Sequence, residues 1–138
     1  MARSVPPGFE LAGLTDPYSV NLGPVYIDRK ASKLGFFVED KHLNPVGTCH
    51  GGAISSFADM QILLANEAVG TAAGHTPTIS LTIDYLSPPP MGAWVVADVE
   101  IIKRTRTLIF SQALIHANED QLVARTTGIY RYLPARDA

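Results

Sequence analysis

The sequence predicts an α+β domain in which an antiparallel β-sheet wraps around one long central helix. Three observations lead there. Residues 51–69 form a helix whose apolar arc covers well over half of its circumference. Four runs of strand character follow it, over 79–85, 94–103, 107–116 and 122–133. Their connections are short, and parallel neighbours would need crossovers of about a dozen residues or more, so the strands run antiparallel. A hairpin over 25–27 and 34–39 precedes the helix.

Along the chain, Pro6, Pro7, Gly8, Pro17, Gly23 and Pro24 punctuate the beginning. Residues 1–20 are therefore expected to be irregular, with a helical turn or two around 9–14. The polar stretch 28–33 is the hairpin turn, and 41–49, with Asn44, Pro45 and Gly47, is the loop into the helix. Gly74 and Pro77 read as stop signals beyond the helix. Ile79, Leu81, Ile83 and Tyr85 alternate with Ser80, Thr82 and Asp84, a half-buried strand that Pro88, Pro89 and Pro90 end. Turns at 104–106 and 117–121 separate the last three strands.

With 138 residues, 46% of them hydrophobic and 17% charged, the chain is one globular domain, and so few charges predict a homo-oligomer. A net charge of −2 gives no general attraction for nucleic acid. No stretch approaches the ~20 apolar residues of a membrane helix. The first residues lack the apolar core of a secretory signal, and the single cysteine, Cys49, fits a reducing compartment, so the chain reads as cytoplasmic.

The chemistry is expected around 47–59, where His50, Gly51 and Gly52 stand directly before the helix. A helix start exposes unpaired N–H groups with partial positive charge, and two glycines let a ligand oxygen approach them. Such a site suits an anion or a developing oxyanion. Turned by about 100° per residue, Gly52, Ser55, Ser56, Asp59, Asn66 and Glu67 share about a third of the helix circumference, with Asp59 central. Gln61 and Leu63 are exceptions to the apolar and polar division. A carboxylate there is costly without a role. Gly51 and Asp59 are roughly 12 Å apart along the helix, so one chain cannot bring both to a single carbonyl; a two-fold axis can set Asp59 opposite Gly51 of a second copy.

The hairpin, the pattern Asn44-x-x-Gly47-x-x-His50-Gly51-Gly52, Asp59 nine residues after His50, and the strands that follow resemble the hotdog-fold acyl-CoA thioesterases of the phenylacetic-acid-degradation (PaaI-like) type. Pro77 to Leu81, Asp84 to Pro88 and Lys103 to Leu108 extend the likeness, which covers residues 8–132. It implies a dimer with a continuous sheet, or a dimer of dimers, and active sites at the subunit interface. Carried over to this chain, Gly51 N–H stabilises the oxyanion and His50 positions the thioester. Asp59 of the partner chain is general base or nucleophile, Asn44 holds the water or the His50 backbone region, and Thr78 lies near that water. Lys103, Arg104 and Arg106 lie near the coenzyme A phosphates, while Gly52, Met60 and Leu63 are further substrate-binding candidates.

Each assignment has a plainer competitor. His50 can be a helix cap, Asn44 a turn residue beside Pro45, and Thr78 an ordinary strand start. Lys103, Arg104 and Arg106 can be a solvated hairpin tip, and Met60 and Leu63 can belong to the core, as Phe57 and Leu64 are expected to. Cys49 reads as structural. His42, His75 and His116 have no metal-site spacing, so no metal and no cofactor beyond the substrate's own coenzyme A is expected. The rival functions are a dehydratase or hydratase of the same fold, whose Asp-x-Asn-x-x-His pattern is missing, and a non-catalytic acyl-CoA binder.

Overall fold

The computed structural model describes residues 3–70 and 76–132. Expectations resting on Gly74, His75 and Leu133 lie outside these residues. Strand β1 is Glu10–Leu11, helix α1 Pro17–Leu22, β2 Tyr26–Asp28 and β3 Lys33–Phe37. A single 3-10 turn, Asp40–His42, precedes helices α2, Gly51–Asp59, and α3, Gln61–Val69. Strands β4, Thr78–Tyr85, β5, Trp94–Arg104, β6, Leu108–Ala117, and β7, Gln121–Arg131, complete the order.

The seven strands form one antiparallel sheet in the order β1-β2-β3-β5-β6-β7-β4. Although it precedes β5 in sequence, β4 pairs, among the described residues, only with β7 and so forms the edge. The helical run lies on the concave side. Phe57 is fully buried and its ring centroid is 4.6 Å from that of Phe36 on β3. Removing a side chain of that size from water stabilises the fold by about 2–3 kcal/mol. Ile54, Ala58 and Leu64 join Val95, Ala97, Ala113 and Ile115 in the same core. Among the described residues, no helix is long and apolar enough to cross a membrane.

The N-terminal expectation needs correction. Residues around 9–14 contribute the short strand β1, and the helix comes later, at α1. Asp16 accepts from both Ser19 N–H and Ser19 Oγ, and Pro17 occupies the first turn, so the local capping chemistry starts the helix at Pro17. The Ser19 bonds hold the Asp16 carboxyl below its ordinary pKa.

The central helix spans 51–69 as predicted, but its turn tightens at Met60, whose ψ of −6° separates α2 from α3. Two carbonyls at this point are bonded by side chains: Gln61 Nε2 donates to Ala58 O at 2.9 Å, and Tyr130 OH to Asp59 O at 3.3 Å. Gln61 is fully buried, donates also to Thr126 Oγ1 at 3.3 Å, and accepts from Ser111 Oγ at 2.9 Å. Its place in the apolar arc is thus explained by a satisfied polar network reaching into β6 and β7. Gly70, at φ 60°, ends the helix, donating toward the carbonyls of Asn66 and Glu67.

Replacing Gln61 by Leu leaves the Ser111 hydroxyl, the Thr126 hydroxyl and the Ala58 carbonyl without this partner. The expected loss in urea unfolding is about 2–3 kcal/mol, and adding Ser111→Ala and Thr126→Val should restore most of it.

Candidate active site

The start of α2 is organised by His50. As N-cap, its Nδ1 accepts from Gly52 N–H at 2.8 Å, and its carbonyl accepts from Ala53 and Ile54 N–H at 3.0 and 3.2 Å. Three of the first four helix N–H groups are thereby used. The fourth, Gly51 N–H, has no acceptor among the described residues. With Nδ1 accepting, the ring N–H is at Nε2, which is thereby a donor. Gly52 differs from expectation: its N–H is occupied, and a Cβ there would lie 3.0 Å from His50 Nδ1, so its bare backbone seats the ring.

His50 is held from behind by a residue that sequence reasoning left aside. His42 is buried, bonds Leu22 O through Nε2 at 2.6 Å, and accepts from Glu39 N–H through Nδ1 at 2.9 Å. Its carbonyl accepts from His50 N–H at 2.7 Å. Among the described residues no hydrogen bond joins Asn44 to His50. Asn44 Oδ1 accepts from Val46 and Thr48 N–H at 3.1 and 3.0 Å, and its Nδ2 donates to Thr48 Oγ1 at 2.8 Å. It closes the loop in the manner of an Asx turn.

A cleft of about 300 Å³ opens beside Gly51, lined by Asn44, Gly51, Ile54, Tyr85 and Leu86 among others. The phenol of Tyr85 bonds Ser55 Oγ and lies 3.3 Å from Gly51 O, closing one side of the helix start. The sequence offered Tyr85 only as an alternating strand residue.

One full α2 length away, Asp59 is half-buried. Thr78 Oγ1 donates to its Oδ1 at 2.8 Å, and Tyr130 OH reaches the same oxygen at 3.3 Å. The structure therefore joins Asp59 with Thr78, and separately places Asn44, His50 and Gly51 around the helix start. Tyr130 had no signal in the sequence beyond being an aromatic on a strand.

The remaining candidates divide. Met60 is 8% exposed within the core, whereas Leu63 packs against that core only in part. Arg104 is engaged at the helix C-terminus, where Nη1 donates to Ala68 O at 3.2 Å and Nε to Tyr132 OH at 3.3 Å, favourable for the helix dipole. Lys103 and Arg106 are exposed at the same β5–β6 turn. Among the described residues, no three His, Cys, Asp or Glu side chains gather as for a metal ion.

Known proteins resemble this chain in sequence and in fold. The thioesterase superfamily profile matches residues 46–124, a stretch that contains His50, Gly51, Asp59 and Thr78. A candidate esterase of Pseudomonas aeruginosa is 28% identical over 134 residues, covering 95% of this chain and 98% of the relative. Acyl-coenzyme A thioesterase 13 of mouse is 30% identical over 91 residues, 66% of this chain; the chain spans only 59% of that relative's length. Among solved structures, a variant of the phenylacetic acid degradation protein PaaI from Thermus thermophilus superposes with a TM-score of 0.69 at 26% identity, covering 86% of this chain and all of the other.

Cys49, next to His50, is buried, and desolvation pushes its thiol up to about 11. Thiolate is the reactive form, so little is present at neutral pH. In native protein at pH 8 a disulfide reagent should detect no thiol within minutes, and one per chain after unfolding in guanidinium.

Proposed function

We infer that this chain, which belongs to the thioesterase superfamily and is a thioester hydrolase, cleaves acyl-CoA at a site shared between two copies of itself. The observation that carries this reading is the accounting at the helix start: Gly51 N–H alone among the first four donors is open, and the positive end of the helix lies behind it. A thioester carbonyl oxygen bonded there becomes an oxyanion in the tetrahedral intermediate, and a fixed donor stabilises it more strongly than the ground state.

The attacking oxygen needs a carboxylate close to the same carbon, and Asp59 of the same chain lies roughly 12 Å along the helix. Asp59 of a second copy meets the need. Among the described residues the outer edge of β4 has no partner strand, and Ile79, Tyr85 and Leu86 on or beside it are 56%, 55% and 52% exposed. Edge-to-edge pairing would cover them and continue the sheet. Acting as base, Asp59 takes a proton from water while the water oxygen adds to the carbonyl carbon. Collapse of the intermediate breaks the C–S bond and releases the acid and the coenzyme A thiol. Acting as nucleophile, Asp59 would add its oxygen to the carbonyl carbon, and the C–S bond would break to release coenzyme A, which leaves as the thiol after taking up a proton. Water would then open the mixed anhydride to the acid and the free carboxylate.

His50 Nε2–H adds a donor beside the carbonyl. Thr78 orients Asp59. Lys103 and Arg106, free of the helix-capping role of Arg104, are the residues to meet the coenzyme A phosphates. The cleft at Tyr85 and Leu86 and the partly buried Leu63 would receive acyl and pantetheine portions, with short, medium and aromatic acyl groups all as candidates. Hydrolysis by this route needs no added cofactor.

Thiol release from acetyl-CoA, hexanoyl-CoA, phenylacetyl-CoA and benzoyl-CoA tests the activity. Asp59→Asn should lower kcat by about a thousandfold with substrate affinity nearly unchanged. Tight coenzyme A binding without turnover by the wild-type protein would favour a binder, and reversible hydration of an enoyl-CoA a hydratase.

Sharing of the site has its own test. Asp59→Asn and Gly51→Val chains, each inactive alone, should regain about a quarter of wild-type activity when co-refolded in equal amounts, because half of the dimers then hold one intact site of two. No recovery, with mixed dimers demonstrated, would place both groups in one chain.

A further inference from the structure

We propose that Tyr130 is a positioning residue for Asp59, and that Gly128 supplies the space that lets it act. The proposal deepens the reading above and rests on Asp59 being the hydrolytic carboxylate.

Three features converge on Tyr130. First, its hydroxyl bonds only Asp59 among the described residues, touching Oδ1 and the backbone carbonyl at 3.3 Å each. Thr78 Oγ1 donates to the same Oδ1 from β4, where Thr78 is the registered partner of Tyr130. Two donors on one oxygen leave Oδ2 as the carboxylate oxygen without a protein donor among the described residues, so a single defined atom faces the reaction. A carboxylate held at one oxygen cannot rotate without breaking both bonds. Reaction geometry tolerates little rotation, since misplacement by about 1 Å can cost a hundredfold in rate.

Second, Tyr130 is fully buried and packs with Ala65, Val69, Ile109 and Tyr132 in a small core at the C-terminal end of the helical run. Phe would fill that volume. A phenol brought into a dry site costs free energy unless its hydroxyl is bonded, and here the bonds go to Asp59. Burial, and then the charge and hydrogen bond of Asp59, push the Tyr130 pKa far above that of an ordinary phenol. It therefore stays a neutral donor at every working pH and takes no part in proton transfer.

Third, the strand that carries Tyr130 is itself shaped for this ring. Gly128 lies two residues before Tyr130, on the same face of β7. A Cβ at Gly128 would stand 2.7 Å from Tyr130 Cε2, 2.8 Å from its hydroxyl oxygen and 3.0 Å from Cζ. Glycine within a strand weakens it, and close approach of another group is a reason to tolerate one. Any side chain at this position would push the ring off its contact with Asp59.

The test compares full-length wild type, Tyr130→Phe and Gly128→Ala in steady-state thiol release from the acyl-CoA that wild type turns over fastest, alongside thermal melting. Tyr130→Phe keeps the ring and removes only the hydroxyl. It should lower kcat by about ten- to a hundredfold, leave KM within about twofold and keep Tm close to wild type. Gly128→Ala, if it folds, should show the same kcat loss with an intact Tyr130. A Tyr130→Phe kcat within twofold of wild type would overturn the proposal, as would a loss that follows Tm and disappears on cooling. Wild-type protein that releases thiol from no substrate would instead overturn the hydrolase reading beneath it.

Discussion

A helix must find acceptors for its first N–H groups, and in this protein one residue supplies nearly all of them. His50 serves Gly52 through its ring and Ala53 and Ile54 through its carbonyl, leaving Gly51 open. The openness of that donor is set by the placement of His50. That placement depends in turn on His42, which bonds the His50 N–H and is itself tied to the end of α1 through Leu22 O. Two hydrogen bonds thus connect the end of α1, through His42, to His50, the residue directly before Gly51.

The second constraint is the burial of polar groups where the helix tightens at Met60. The carbonyls of Ala58 and Asp59 are held by Gln61 and Tyr130, and the carboxylate of Asp59 by Thr78 and Tyr130. These bonds come from β4 and β7 and from the helix itself. Because β4 lies outside β7 at the sheet edge, the carboxylate that Thr78 holds sits beside that edge. Strand order thus brings the carboxylate and the exposed apolar side chains of β4 to one border of the sheet.

Much of this was legible in the chain. The boundaries of the helical run and the last four strands, and the antiparallel pairing, followed from periodicity and turn residues. His50, Gly51 and Asp59 stood out because a pair of glycines at a helix start and a carboxylate on an apolar helix are chemically unusual. Other assignments depended on contacts that spacing does not encode. Asn44 is occupied by its own loop and Gly52 by the His50 ring, Met60 belongs to the core, and Arg104 turns back to cap the helix. The early helix was misplaced because a run of prolines and glycines masked the Asp16–Pro17 start.

Local chemistry determined from sequence alone where the helix begins, which face is apolar, and that the strands after it run antiparallel, since each depends on residues within a few positions of one another. Only the tertiary structure decided that β4 lies beyond β7, that Gln61 is bonded and not misplaced, and that Tyr130 and Thr78 meet on one oxygen of Asp59. Those partners are 19 to 71 positions apart in sequence. What brings them together is the wrapping of the sheet around the helix, a global consequence of burial that no local pattern specifies.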